Sequence, residues 1–176
     1  EALSAALGER FVPNAPVEAI RRDGKRWSVS VGGHEAREII AEAVVVATPA
    51  RVSERLLGDL DLELESFFAS VPTRAVVVVG LGYGIEDAPS LRGFGHLVPS
   101  TETGAVLGVL WSSSIFEGRA EQGVSLRVIL GGWRDPEIHT RSDDELTRIA
   151  RDELKTSLGI IAEPVALAVA RHPQGL

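Results

Sequence analysis

The chain has 176 residues, 44% of them hydrophobic, with a mean hydropathy of +0.11, a formal net charge of −7 and a pI near 5.1. These values exclude a disordered tail and argue against a broad nucleic-acid or anionic-membrane surface, which needs clustered Lys and Arg. With no cysteine there is no disulfide frame, thiolate metal site or cysteine nucleophile, and no run of about 18 apolar residues is available to span a bilayer. The chain also lacks methionine, and its last residues, RHPQGL, read as an unfinished loop, which predicts a segment of a longer protein.

In chain order, residues 2–7 read as the last turns of a helix stopped by Gly8. The period then changes to that of strands over 17–20, 27–31 and 36–40, separated by the turn sequences RDGK (22–25) and Gly32-Gly33. Trp27, Val29 and Val31 alternate with Ser28 and Ser30, which predicts a β-meander with one covered face. The continuous apolar run 43–47 carries the pattern of a strand buried on both faces. Thr48 and Pro49 then open a helix to Leu57, with Gly58 as its stop.

A short helix is expected over 60–69 and a strand over 73–80. The following glycines, GLGYG (80–84), imitate a phosphate-binding loop, but EDAPS follows where a helix N-terminus would be needed, so they read as turn formers. Two apolar runs, GFGHLVPS (93–100) and LGVLWSSSIF (107–116), flank a polar turn at 101–104 and predict a hairpin that presents a flat apolar wall, with Gly95 allowing close backbone approach. Residues 118–123 read as a loop and 124–130 as a strand. Ser142 and Glu145 form a capping box for an amphipathic helix ending at Gly159, and a last strand is expected over 164–170.

A self-sufficient active site is hard to find in this pattern. His34, His96, His139 and His172 lie in separate turns or strands without metal-ligand spacing, and Ser112 to Ser114 lack the G-x-S-x-G elbow of a hydrolase. The pair Asp143-Asp144 has a sufficient reason at a helix N-terminus.

The ordered set GFGHLVPS, LGVLWSSSIF and LRVILGGW (126–133) resembles the protoporphyrinogen and coproporphyrinogen oxidases, FAD enzymes of the amine-oxidase superfamily that act in haem synthesis. The resemblance implies an α/β (α+β) architecture, a mixed β-sheet with flanking helices in a partial two-lobed fold. Residues 1–58 would belong to an FAD-binding domain and 59–176 to a porphyrinogen-binding domain. It also implies an oxygen-consuming reaction that removes six electrons from a porphyrinogen in three steps.

In that reading Phe94, Gly95, Leu97, Leu110 and Ile129 form the substrate wall, and Val17 and Thr48 lie on the adenine and pyrophosphate side of FAD. The G-x-G-x-x-G fingerprint does not occur in the chain, so the segment alone is expected to retain no FAD and to be inactive. The complete protein is expected in the cytoplasm, with peripheral membrane contact, no nucleic-acid partner and no metal. Two alternatives stay open: another flavoprotein of the superfamily, such as a carotenoid desaturase or amine oxidase, and a flavin-independent module for an apolar ligand.

Overall fold

The computed structural model describes residues 2–120 and 123–176, which form two compact units, Glu1–Pro72 and Thr73–Leu176. In the first, α1 (Ala2–Leu7) passes into a single 3-10 turn at Gly8–Arg10. Three strands follow, β1 (Val17–Asp23), β2 (Arg26–Val31) and β3 (Arg37–Ala41), paired antiparallel in that order. Gly24, at φ +58°, and Lys25 make the two-residue turn between β1 and β2, so β1 stays paired through Arg22 and Asp23, the first half of the expected RDGK turn.

Burial along β2 departs from the expected alternation: Ser28 is buried while Val29 is only half-buried. The Ser28 hydroxyl donates to the Glu38 carboxylate on β3, which satisfies the polar group that burial would otherwise penalise.

The run 43–47 is not a strand. It is extended without pairing to any described strand, and Val45 is 91% exposed. The sheet of this unit holds only β1, β2 and β3 among the described strands, so the run gains no ladder partner. Helices α2 (Ala50–Leu57) and α3 (Leu62–Ser70) follow, the latter capped by the Asp61 carboxylate, which accepts from Glu63 N at 2.7 Å. Gly58 stays right-handed at φ −57° and is no left-handed stop. Helices α2 and α3 pack on each other, and both lie within the first compact unit, which ends at Pro72.

The second unit contains β4 (Val76–Gly84), β5 (Gly95–Leu97), β6 (Val106–Leu110), α4 (Ser112–Ile115), β7 (Gly123–Gly131), α5 (Asp143–Leu158) and β8 (Ala166–His172). Its five strands lie in the order β5-β6-β7-β4-β8. All pairings among the described strands of both sheets are antiparallel.

Two expectations change here. Gly80, Gly82 and Gly84 are not turn formers but members of β4, where they alternate with the buried Leu81 and Tyr83. Residues 112–115 are not strand but the short helix α4. The loop expected over 118–123 falls partly on residues 121 and 122, outside the described residues.

The core lies between one face of this sheet and α5. Val77, Val79, Leu126, Val128, Leu130, Leu146, Ala150 and Leu154 are all fully buried there. Each large aliphatic side chain so buried contributes roughly 1.5–3 kcal/mol. The Ser142 hydroxyl accepts from Glu145 N at 3.2 Å, and Gly159 ends α5 in the left-handed region at φ +71°. Only half of the capping box forms, because the Glu145 carboxylate is turned to Arg141.

Candidate functional site

The face of the second unit's sheet opposite α5 is open, and the strand register states which residues it presents. Partners across an antiparallel ladder point to the same side, as do residues two apart along a strand. One row crosses the sheet as Gly95, Leu110, Arg127, Gly80 and Ala168. The adjacent row crosses as Leu97, Gly108, Ile129, Val78 and Ala170. Four of the five residues expected to form a wall therefore share one face.

Leu97 is 83% exposed and Leu110 37%, far from the fully buried leucines on the α5 side. Phe94 is exposed but precedes β5 and joins neither row; its carbonyl accepts from Trp111 N at 2.9 Å.

Glycine shapes this face at two places. Gly95 has φ +141°, and a Cβ there would stand 2.0 Å from the Val109 carbonyl oxygen. A Cβ on Gly108 would stand 2.6 Å from the His96 carbonyl oxygen. The close approach that Gly95 permits is thus of one strand to the next, and it leaves low floor between the leucine side chains.

Side chains behind the sheet fix the hairpin in place. His96 points to the α5 side, where its Nε2 lies 3.2 Å from Glu153 Oε1, with the edge of Trp111 beside the ring. This histidine is a half-buried strut between β5 and α5. Ser114 Oγ accepts from Gly93 N at 3.0 Å and Ser113 Oγ accepts from Ser125 N at 3.1 Å, so the serine run ties α4 to the two chain segments beside it. Among the described residues no group of His, Asp and Glu could hold a metal ion.

Along β4 and β7 the open face carries a cavity of about 470 Å³ lined by Gly80, Gly82, Gly84, Ser125, Arg119 and Arg127, among others. Sequence reasoning passed over this part. The period-two spacing of the glycines was a strand signal, and Arg127 is the one charge inside the apolar run LRVIL.

The first unit holds the two residues expected near a cofactor. Val17 opens β1 opposite Val31, and the Thr48 hydroxyl lies 2.9 Å from Ser53 Oγ just before α2. The run 43–47, with Val45 exposed, leads into α2, whose N-cap Pro49 has no side-chain acceptor to offer but accepts from Val52 N and Ser53 N through its carbonyl, each at 2.9 Å. An exposed apolar side chain followed by a helix start whose Ala50 and Arg51 amides have no partner among the described residues suits an adenosine and a phosphate, and no residue of the run supplies redox chemistry.

The sequence model of the flavin containing amine oxidoreductases matches residues 1–174. The chain belongs to that family. It is 31% identical over 157 residues to protoporphyrinogen oxidase of Bos taurus, an alignment covering 86% of this chain and 32% of the bovine protein.

Among solved structures it is similar to one from Exiguobacterium sp. 255-15 named for protoporphyrinogen oxidase, with a TM-score of 0.71 at 19% identity over 92% of this chain and 35% of the other. It is also similar to cyclohexylamine oxidase of Brevibacterium oxydans, with a TM-score of 0.72 at 16% identity over 97% of this chain and 37% of the other. These two likenesses concern the fold. The chain spans about a third of the length of the relatives it matches. Among the described residues no helix is long and apolar enough to cross a membrane.

Proposed function

We propose that the complete protein is an FAD-dependent oxidase that converts a porphyrinogen, protoporphyrinogen IX or coproporphyrinogen III, to the porphyrin, and that this chain supplies the wall against which the macrocycle lies. The observation that carries the reading is the two-row face: Leu97, Leu110 and Ile129 standing over the glycine floor of 95 and 108. Such a face suits a flat apolar ring, since shape and dryness orient the substrate while the chemistry is left to a cofactor. Relatives named for protoporphyrinogen oxidase support it.

In this reading residues 1–58 are part of the FAD-binding domain and 59–176 the substrate-binding domain. Val17 and Thr48, with the run 43–47 and the start of α2, hold the adenine and pyrophosphate side of FAD. FAD held there would supply the redox chemistry, as the electron acceptor that links the substrate to oxygen. The chain's own task is to hold the ring against Leu97, Leu110 and Ile129, with Phe94 at the margin and Gly95 leaving room, and to keep water out. Phe94 and Leu97, being exposed, have most to gain from a bound ring.

The test is anaerobic. The complete, flavin-loaded protein is mixed with a porphyrinogen, with a primary amine and with a carotene, and the flavin absorbance is followed. Rapid bleaching by the porphyrinogen alone is expected. Bleaching by the amine or the carotene alone would assign the protein to another branch of the family.

A further inference from the structure

On the open face of the second unit, one charged side chain stands in the middle of the two rows. Arg127 lies on β7 between Leu110 and Gly80, exposed, with no ion pair or hydrogen bond to any described residue. Beside it the floor is flat, because Gly80 and Gly82 carry no side chain and a Cβ at Gly80 would have the Ala168 carbonyl oxygen as its nearest neighbour, 3.8 Å away. The cavity of about 470 Å³ begins there and takes in a second arginine, Arg119, whose guanidinium sits 5.5 Å from the centre of the Phe116 ring. None of the described residues that line the cavity is acidic.

In a chain with 25 acidic and 18 basic residues, two arginines with no carboxylate partner among the described residues, on a face of otherwise uncharged cavity lining, call for an anion from outside. A guanidinium presents a planar fork that matches a carboxylate in two parallel hydrogen bonds. The same positive charge repels an ammonium, so the cavity disfavours a free amine.

We propose that Arg127, with Arg119 at the rim, is a specificity-determining residue that receives a carboxylate carried on the edge of the flat apolar substrate. This rests on the substrate reading given above and adds to it the group that sets orientation: the ring lies over Leu97 and Ile129 while an acidic arm reaches along β7 into the glycine-floored cavity.

The test uses the complete, flavin-loaded protein and compares a porphyrinogen as free acid with its methyl ester, in detergent, for wild type, R127L and R127K. Binding of the corresponding porphyrin acid and ester is measured separately by fluorescence quenching. The wild type should prefer the acid by about 10- to 100-fold in kcat/KM and in binding, the range of a hydrogen bond to a charged group. R127L should lose that preference, through KM more than kcat, with unchanged flavin content and thermal stability. R127K should retain part of it.

If the wild type oxidises acid and ester and R127L discriminates between them as the wild type does, the role of Arg127 is overturned while the substrate reading stands. If the wild type neither oxidises nor binds either form, the substrate reading falls, and this inference with it. If the porphyrin binds without turnover, the binding preference decides for or against Arg127 by itself.

Discussion

Leu97→Asp separates a wall leucine from a core leucine. Leu97 is 83% exposed, so about one sixth of its surface is covered by the protein. A fully buried leucine contributes roughly 1.5–3 kcal/mol, so this side chain contributes at most about 0.5 kcal/mol to folding. The aspartate carboxylate would remain in water on the open face, and the denaturation midpoint should shift by no more than a surface substitution does, about 0.5 kcal/mol.

Leu126→Ala, on the opposite face of the same sheet and fully buried, should cost about 2–5 kcal/mol. In the complete enzyme the ranking reverses: Leu97→Asp should lower kcat/KM for a porphyrinogen by about 10-fold or more, because a bound apolar ring would desolvate an unpaired carboxylate. Urea denaturation followed by tryptophan fluorescence reads the first effect, and steady-state porphyrin formation at unchanged flavin content reads the second. A loss of stability as large as that of Leu126→Ala would show that Leu97 is packed and not presented. Wild-type kinetics in a stable, flavin-loaded Leu97→Asp protein would refute the pocket.

The remaining predictions concern the scaffold. Gly95→Ala should destabilise by about 2–4 kcal/mol, since φ +141° is strained for alanine and its Cβ would meet the Val109 carbonyl; a melting temperature equal to wild type would show that β5 can move away at no cost. Ser142→Ala removes the N-cap of α5 and should cost about 0.5–2 kcal/mol in urea denaturation, where no change would mean that the cap is replaced by water. Burial raises the pKa of Tyr83, the chain's single tyrosine, against a smaller lowering by Arg151. The protonated phenol is therefore bound more tightly in the folded state, and its stabilising effect is present below pH 10 and lost as pH rises through the folded pKa. Ultraviolet difference absorbance should show an alkaline transition above the ordinary value, and a midpoint at or below that value would contradict the burial. Purified as these 176 residues, the chain should be colourless after gel filtration, and retained yellow flavin would contradict the restriction of its cofactor contacts to the adenosine side.

The elements that the sequence made legible are those with short-range signals. Ser142 and Gly159 bound α5 by capping chemistry, and the polar turn at 101–104 joins two apolar runs whose strand period places Leu97 and Leu110 on one face. The run 43–47 misled because a continuous apolar stretch reports low polarity and not the presence of strand neighbours. Glycines 80, 82 and 84 misled for a related reason: with every second side chain absent, β4 looks like a loop, and only pairing with β7 and β8 shows that the missing side chains clear a cavity floor. Arg127 was invisible as a site residue because a single charge in a strand acquires meaning from the cross-strand row in which it stands. That α2 and α3 pack on each other and so fall in one compact unit is a tertiary fact with no local signature.

The most direct measurement of the central claim is porphyrin fluorescence in air. The complete protein, with its flavin bound, is given protoporphyrinogen IX and coproporphyrinogen III in parallel. The account predicts catalytic appearance of porphyrin fluorescence from at least one of them, well above spontaneous oxidation and diminished by Leu97→Asp. Fluorescence no faster than the protein-free control with both substrates, from a protein whose flavin is intact, would contradict it.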